Sequence, residues 1–460
     1  MQFRQFYTKG LAHCSYAFGG KKECIIVDPS RDIEQYLEVA REWKLPITTI
    51  IETHLHADFV SGHMELAAAT GARIYMSKAA KADFEHHALE DGERFSVDQF
   101  SIEMIDTPGH TPEGSIFFVT DNLRGDKPVL AFTGDTLLVG DVGRPDLFPD
   151  LKEELARDLY NSLQRLYNYA DNVEVYPAHG AGSLCGRSLS TKLSTTWGTE
   201  RLYNGAVNIG SEEEFKVKLL EGMPEAPDHF SRCSEINRRG PALTDKLPRP
   251  KSIAAEKFRK LAAKDHVVVD TRDQLTFGAA HVPGAYGLSL MGNYATFAGW
   301  VLPPDKPLLL VLDSLDDLEP AVRGLQSVGL DNVVGYMAGG MAAWATLGFA
   351  TARLESISVE EMHDRFEKGE LTLVDTRLKS EWDTFHIDGS IHCPAPDVRS
   401  RYTEWLGKEP LAFICNTGNR SLLAASVMLN NAGSGQGPVM NVLGGTSTWE
   451  AMGYPVVRGK

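Results

Sequence analysis

Ile47-Thr48-Thr49-Ile50-Ile51-Glu52-Thr53-His54-Leu55-His56-Ala57-Asp58-Phe59 decides how the first half of this chain is read. Its first five residues are all β-branched, the composition of a buried strand. The strand runs straight into two histidines and an aspartate. Strand ends in α/β folds deliver polar residues into loops, and chemistry gathers there. The arrangement recurs downstream in Thr107-Pro108-Gly109-His110-Thr111, Thr133-Gly134-Asp135-Thr136 and Tyr176-Pro177-Ala178-His179-Gly180. A lone histidine is most often a hydrogen-bonded structural residue. A set of imidazoles and carboxylates on successive strand-end loops can converge on one point, as a metal requires.

Around these loops, Cys24-Ile25-Ile26-Val27-Asp28-Pro29 reads as a strand ending in a turn. Helical periodicity runs over residues 32–43 and 152–167. A helix over Ser211 to Gly222 and a Pro/Arg-rich arm complete a first block, residues 1–245. Leu247-Pro248-Arg249-Pro250 separates it from the rest.

The remaining residues contain an internal repeat. Val268-Val269-Asp270-Thr271-Arg272 returns 105 positions later as Leu373-Val374-Asp375-Thr376-Arg377. His281-Val282-Pro283-Gly284 returns as His386-Ile387-Asp388-Gly389, and Gly339-Gly340 with Trp344 as Gly444-Gly445 with Trp449, in the same register. The repeats are two copies of one domain, residues 246–352 and 353–460. Strands alternating with helical segments predict a parallel sheet in each.

In the second copy the strand-like run Leu411–Ile414 delivers Cys415-Asn416-Thr417-Gly418-Asn419-Arg420-Ser421 ahead of a helical run over 422–429. A cysteine at such a turn faces backbone N–H groups and a helix N-terminus, which stabilise negative sulfur. Arg420 adds a full charge if it points inward, and Gly418 lets the loop curl. The first copy has Leu312-Asp313-Ser314-Leu315-Asp316-Asp317 at that turn, and no cysteine lies between Cys233 and Cys393. Acidic residues there would repel an anionic sulfur species.

The ordered set of histidines and aspartates resembles the metallo-β-lactamase fold, an αββα sandwich with metals at its strand ends, over residues 1–245. That family commonly carries HxHxDH, a later His, a bridging Asp and a final His. The matching positions are His54, His56, Asp58, His110, Asp135 and His179, but Phe59 stands where the motif closes on a histidine. The second metal site therefore loses a ligand; His63 is not taken as its substitute. His54, His110 and Asp135 remain, a facial triad of the kind favoured by non-haem Fe(II) centres that handle oxygen. The resemblance implies one Fe(II) per chain, although spacing alone does not exclude zinc.

The subfamily most resembled is the persulfide dioxygenases. The supporting runs are Gly134-Asp135-Thr136-Leu137-Leu138-Val139 with Gly143-Arg144-Pro145-Asp146, and Glu235-Ile236-Asn237-Arg238-Arg239-Gly240-Pro241. The resemblance implies that His56, Asp58 and His179 orient the ligands by hydrogen bonds, and that Arg144 and Tyr176 face substrate. Bracing of a loop through Asp146 is an equal alternative for Arg144. The CxxGxRS loop, with Asp375-Thr376-Arg377, Glu381-Trp382, His386 and the Gly444-Gly445 turn, resembles the rhodanese family. Both copies share that resemblance, but only the second, through Cys415, can carry a sulfane sulfur. The first is expected to be a spacer or docking module.

Composition agrees with a folded α/β multidomain protein: 460 residues, 43% hydrophobic and 23% charged. A net charge of −16 argues against nucleic acid or an anionic membrane as the main partner. No apolar run reaches a membrane span and the first residues lack a signal peptide, so a cytoplasmic location is expected. Six scattered cysteines make no disulfide framework, and five of them read as buried small hydrophobes.

Together these readings predict oxidation of a low-molecular-weight persulfide by O2 to sulfite at the metal, with Cys415 passing sulfur to sulfite to give thiosulfate. The family habit of such dioxygenases implies a homo-oligomer, a dimer or tetramer. The rivals are a zinc thioester hydrolase of the glyoxalase II type with an attached sulfurtransferase, and a sulfur-relay or sensing protein with a structural metal.

Overall fold

In a computed structural model, which describes residues 1–187, 189–221, 223, 226–408, 410–432 and 437–459, the run Ile47–Ile51 forms a strand as expected. It lies parallel between Cys24–Val27 and Arg73–Ser77. These belong to a six-stranded sheet that continues to Gln2–Thr8 on one side and His87–Leu89 on the other. A second six-stranded sheet orders Thr195–Thr196, Glu174–Pro177, Leu130–Gly134, Ser115–Asp121, Phe100–Asp106 and Arg94–Val97. Alternate residues of both sheets, among them Tyr16, Phe18, Ile51, Phe117 and Phe132, form one buried cluster between them.

Each outer face is covered by helices. Glu34–Trp43 and His63–Thr70 set Tyr36, Val39 and Leu66 against Ile26, Ile50 and Ile74. Lys152–Arg165 and Glu212–Leu220 set Leu159, Leu163 and Phe215 against Ile116, Phe118 and Ala131. The layers are therefore αββα. Periodicity overran the helices slightly: the first starts at Glu34 rather than 32, and the third tightens into a 3₁₀ turn at Leu166–Asn168. Ser211 caps Glu212–Leu220 through its side chain, which accepts from Glu214 N–H. Gly222, the end read for that helix, lies outside the described residues.

The Pro/Arg-rich arm differs from its reading. It contains the helix His229–Arg239, which buries Phe230, Cys233 and Asn237 along one face at helical spacing. Its apolar stripe is too short to stand out among four basic or histidine side chains.

By its contacts the chain divides into two units, residues 1–246 with 327–329, and residues 247–326 with 330–460. The second unit holds both repeats, each built on a parallel five-stranded sheet of identical order. One runs Lys251–Ile253, Val333–Met337, Leu308–Val311, Val267–Asp270, Tyr286–Gly287. The other runs Glu355–Ile357, Val439–Val442, Leu411–Ile414, Thr372–Asp375, Ile391–His392. The repeated Asp-Thr-Arg motif has the same structural use in both. Arg377 Nη2 donates to Asp375 Oδ2 at 2.7 Å and to Phe385 O at 2.8 Å. Arg272 Nη2 makes the matching bonds to Asp270 Oδ2 and Ala280 O at 2.6 and 2.8 Å. Among the described residues no helix is long and apolar enough to cross a membrane.

Candidate functional site

The strand ends of the N-terminal unit bring His54, His110 and Asp135 together. Their ligand atoms lie within 4.8 Å of one another and all three side chains are buried. His54 follows Ile47–Ile51, His110 follows Phe100–Asp106, and Asp135 directly follows Leu130–Gly134. Gly134 makes that last turn possible: its φ is +51°, and a Cβ would lie 2.7 Å from Thr53 Oγ1.

Hydrogen bonds on the far side of each ring fix its tautomer. His54 Nδ1 lies 2.9 Å from Thr53 Oγ1, which itself donates to Asp28 Oδ2 at 2.9 Å. Thr53 Oγ1 must therefore accept from His54 Nδ1–H, leaving the Nε2 lone pair towards Asp135. His110 Nδ1–H donates to the Arg144 carbonyl at 2.8 Å, with the same result. Nε2 of both rings is buried without a hydrogen-bond partner, 3.9 Å (His54) and 3.3 Å (His110) from Asp135 Oδ2. Burial holds both imidazoles below their ordinary pKa. Burial alone would raise Asp135, but His179, His110 and His54 outweigh it and hold the carboxyl well below the usual range. Two neutral imidazoles with oriented lone pairs and one carboxylate are the donor set of a divalent transition metal.

His179 Nδ1 lies 2.8 Å from both oxygens of Asp135, and its Nε2 faces Asp58 Oδ2 at 2.9 Å. Burial opposes a charge on His179, yet the two carboxylates outweigh it and hold the imidazole well above its ordinary range. Cys185 joins Asp58 and His179 in a second group of potential ligands within 4.8 Å, its thiol pushed up to about 12 by burial. His56 packs against His54 with the rings tilted by 54°, 4.2 Å between centroids, and turns Nε2 to Asp28 Oδ1 at 3.3 Å, beside Glu52. Phe59 is fully buried between His13 and His56, at 4.1 and 4.5 Å between centroids. His63 packs on Phe84 and faces Glu52, apart from the trio.

Arg144 is 1% exposed, and its Nε and Nη2 bond Asp146 at 2.6 and 2.7 Å, bracing the loop. Tyr176 donates its hydroxyl to Glu174 at 2.7 Å and packs its ring on Phe3.

Cys415 lies at the strand-to-helix turn of the second repeat, 1% exposed. Gly418 N–H donates to its sulfur at 3.1 Å and Ser421 Oγ at 3.4 Å. The helix starts at Asn419, three residues before the apolar run, because Asn419, Arg420 and Ser421 form its first turn. The Gly444-Gly445 turn seats this loop: Thr446 N–H donates to Cys415 O at 2.8 Å and Ser447 N–H to Asn416 O at 3.1 Å. Ser447 Oγ also reaches Asn416 Oδ1 at 2.6 Å. A Cβ on Gly445 would lie 2.0 Å from Cys415 O, so only glycine fits. Arg420 forms a two-pronged ion pair with Glu381, Nη2 to Oε1 at 2.6 Å. Cys393 is buried beside Pro394, its thiol pushed up to about 12, as a packing residue would be.

Two family models match the chain: the metallo-beta-lactamase superfamily over residues 9–179, and the rhodanese-like domain over residues 254–347 and 358–452. A probable polyketide biosynthesis zinc-dependent hydrolase, BaeB of Bacillus velezensis, is 33% identical over 38% of this chain and 74% of its own length. The crystal structure of a metallo-beta-lactamase from Staphylococcus aureus subsp. aureus COL is 31% identical, with a TM-score of 0.65, over 73% of this chain and 98% of its own.

The chain belongs to the metallo-β-lactamase superfamily.

It joins a metallo-β-lactamase domain to two rhodanese-like domains. The mitochondrial persulfide dioxygenase ETHE1 of Bos taurus is similar to the metallo-β-lactamase domain, 28% identical over 51% of this chain and 87% of its own length. Three residues around this site escaped the sequence reading. Asp28 closes the strand Cys24–Val27 and could have been found as one more strand-end carboxylate; it holds Thr53 through both backbone N–H and hydroxyl. Asn237 donates to His56 O at 2.7 Å and Phe59 O at 2.8 Å and accepts from Ser61 N–H at 2.9 Å, pinning the His56–Ser61 loop. Cys185 was counted among the small hydrophobes; nothing local in its sequence marks it.

Proposed function

We propose that this chain is a persulfide dioxygenase fused to a sulfurtransferase, with residues 1–245, 246–352 and 353–460 as its domains. The observation that carries this reading is the trio His54, His110 and Asp135, with both Nε2 lone pairs oriented and Phe59 in place of the superfamily's closing histidine. These three residues would hold one Fe(II), which when bound supplies the electronic means for O2 to react with a spin-paired sulfur substrate. The balanced reaction is RSSH + O2 + H2O → RSH + SO3²⁻ + 2H⁺. The protein's own part is positional. Thr53 and the Arg144 carbonyl keep the imidazoles in the required tautomer, and His179 shares its N–H with both oxygens of Asp135. Phe59, packed against His13 and His56, puts a phenyl ring that can ligate nothing where the motif closes on a histidine.

In the second rhodanese-like domain, the Cys415 thiolate takes the outer sulfur of another persulfide, releasing RSH. The resulting Cys415–S–S⁻ passes that sulfur to sulfite, giving thiosulfate and regenerating the thiolate. Gly418 N–H and Ser421 Oγ face the sulfur, and Cys415 is not one of the trio His54, His110 and Asp135, so its loss removes this step alone. Cys415→Ser is expected to leave persulfide-dependent oxygen uptake intact and shift the product from thiosulfate to sulfite. Turnover confined to thiosulfate consumption in the presence of thiol would overturn this direction.

The cluster Asp58, His179 and Cys185 favours a second reading, a zinc-dependent hydrolase with a further metal held partly by the thiol. It predicts two metals per chain and loss of one on Cys185→Ser.

A further inference from the structure

The cysteine-free repeat is joined to the sulfur loop of its neighbour by one side chain. Gln274 opens the helix Gln274–Ala279 of the first repeat. Its Nε2 donates to Thr417 O at 3.3 Å and to Asn419 Oδ1 at 3.4 Å, while its Oε1 accepts from Asn441 Nδ2 at 3.2 Å. Thr417 O and Gly418 N–H are the two ends of a single peptide unit, and that N–H is the one facing the Cys415 sulfur at 3.1 Å. Gly418 has a φ of +103°, a conformation with little steric preference of its own, so its own backbone does little to fix the plane of that peptide. A Cβ at Gly418 would lie 2.2 Å from Gln274 Oε1, which shows how closely the amide is seated on the loop. A donor on the carbonyl fixes the plane and also polarises the opposite N–H.

The contact is part of a docked surface. Gly287 N–H of the first repeat donates to Ser426 Oγ at 3.1 Å, and Asn430 Nδ2 donates to Ala285 O at 3.4 Å. Ser426 and Asn430 lie on Asn419–Ala432, the helix whose N-terminus adjoins Cys415.

We propose that Gln274 is a positioning residue for Cys415: through the Thr417–Gly418 peptide it holds a backbone donor on the sulfur, so the repeat that has no cysteine completes the site of the other. The role rests on the reading of Cys415 as a sulfur carrier. Its chemistry is Cys415–S⁻ + S2O3²⁻ → Cys415–S–S⁻ + SO3²⁻, followed by Cys415–S–S⁻ + CN⁻ → Cys415–S⁻ + SCN⁻ with cyanide as the probe acceptor. Negative sulfur is present on Cys415 at every stage.

The test uses the full chain carrying Gln274→Ala or Gln274→Glu, the second keeping the shape but losing the donor. Alkylation of Cys415 by iodoacetamide, with Cys415→Ser as the background, is expected to slow about three- to tenfold at neutral pH and its pH profile to move upward. kcat/KM for sulfur transfer from thiosulfate to cyanide should fall by a similar factor in both variants, while circular dichroism shows each still folded. Wild-type alkylation profiles and wild-type sulfur transfer in both variants would overturn the proposal. Slowed alkylation in a protein whose wild type moves no sulfur from thiosulfate would uphold the positioning role and overturn the sulfurtransferase reading instead.

Discussion

His179 shares Asp135 with the metal trio: its Nδ1 lies 2.8 Å from both carboxylate oxygens. Asp58 anchors the other nitrogen at 2.9 Å, so one imidazole ties two strand-end loops. Removing that N–H leaves Asp135 free to rotate. His179→Ala is expected to weaken metal retention about 10–100-fold, as loss of a ligand's hydrogen-bond partner does. Metal content after dialysis against a chelator checks it; undiminished retention would contradict it.

Asn237 holds three backbone groups of the loop that carries His56 and Phe59. Asn237→Ala would leave two carbonyls and one N–H unpaired in the interior, at about 1–3 kcal/mol each before relaxation. The expected result is a clearly lowered unfolding temperature of the N-terminal unit together with loss of oxygen uptake. Thermal unfolding read beside activity would detect both.

The parts that were legible are those with local patterns. Strand-end His54, His110 and Asp135 sit on loops after strand-like runs, the last two directly after Gly109 and Gly134, and the 105-residue repeat exposes the tandem domains directly. Asn237 and Gln274 were not legible, because each acts on backbone groups more than 140 positions away and no periodicity encodes such a bond. Cys185 is buried in an apolar cluster with Ala57 and Phe230, as its residue class implies, and only the fold shows that Asp58 and His179 lie beside it. The helix His229–Arg239 was hidden by its charged exterior.

Asp375 and Arg377 form a buried ion pair at 2.7 Å whose guanidinium also bonds a carbonyl. Asp375→Asn keeps the shape and removes the charge, leaving Arg377 uncompensated. A loss of about 3–5 kcal/mol is expected in the second repeat. Urea denaturation followed through Trp405 and Trp449 fluorescence would measure it, and a change under 1 kcal/mol would show that the pair is dispensable.

Burial alone would raise Glu381, but Arg420 outweighs it and holds the carboxyl below its ordinary value of 4.5. A carboxyl with a depressed folded pKa stabilises the fold fully above its unfolded value and loses that contribution as pH falls through the folded one. The second repeat should therefore lose stability progressively below about pH 4.5. In Glu381→Gln the acid-side slope should be shallower. Denaturation midpoints from pH 3 to 7 would show whether the slopes differ.

The proposed reaction requires a single iron site that consumes oxygen. The most direct measurement is metal content of the anaerobically purified chain, read beside oxygen uptake on addition of a glutathione or coenzyme A persulfide. About one iron per chain and persulfide-dependent uptake are expected, both abolished by His110→Ala. Two zinc ions per chain with thioester hydrolysis and no oxygen uptake would contradict it.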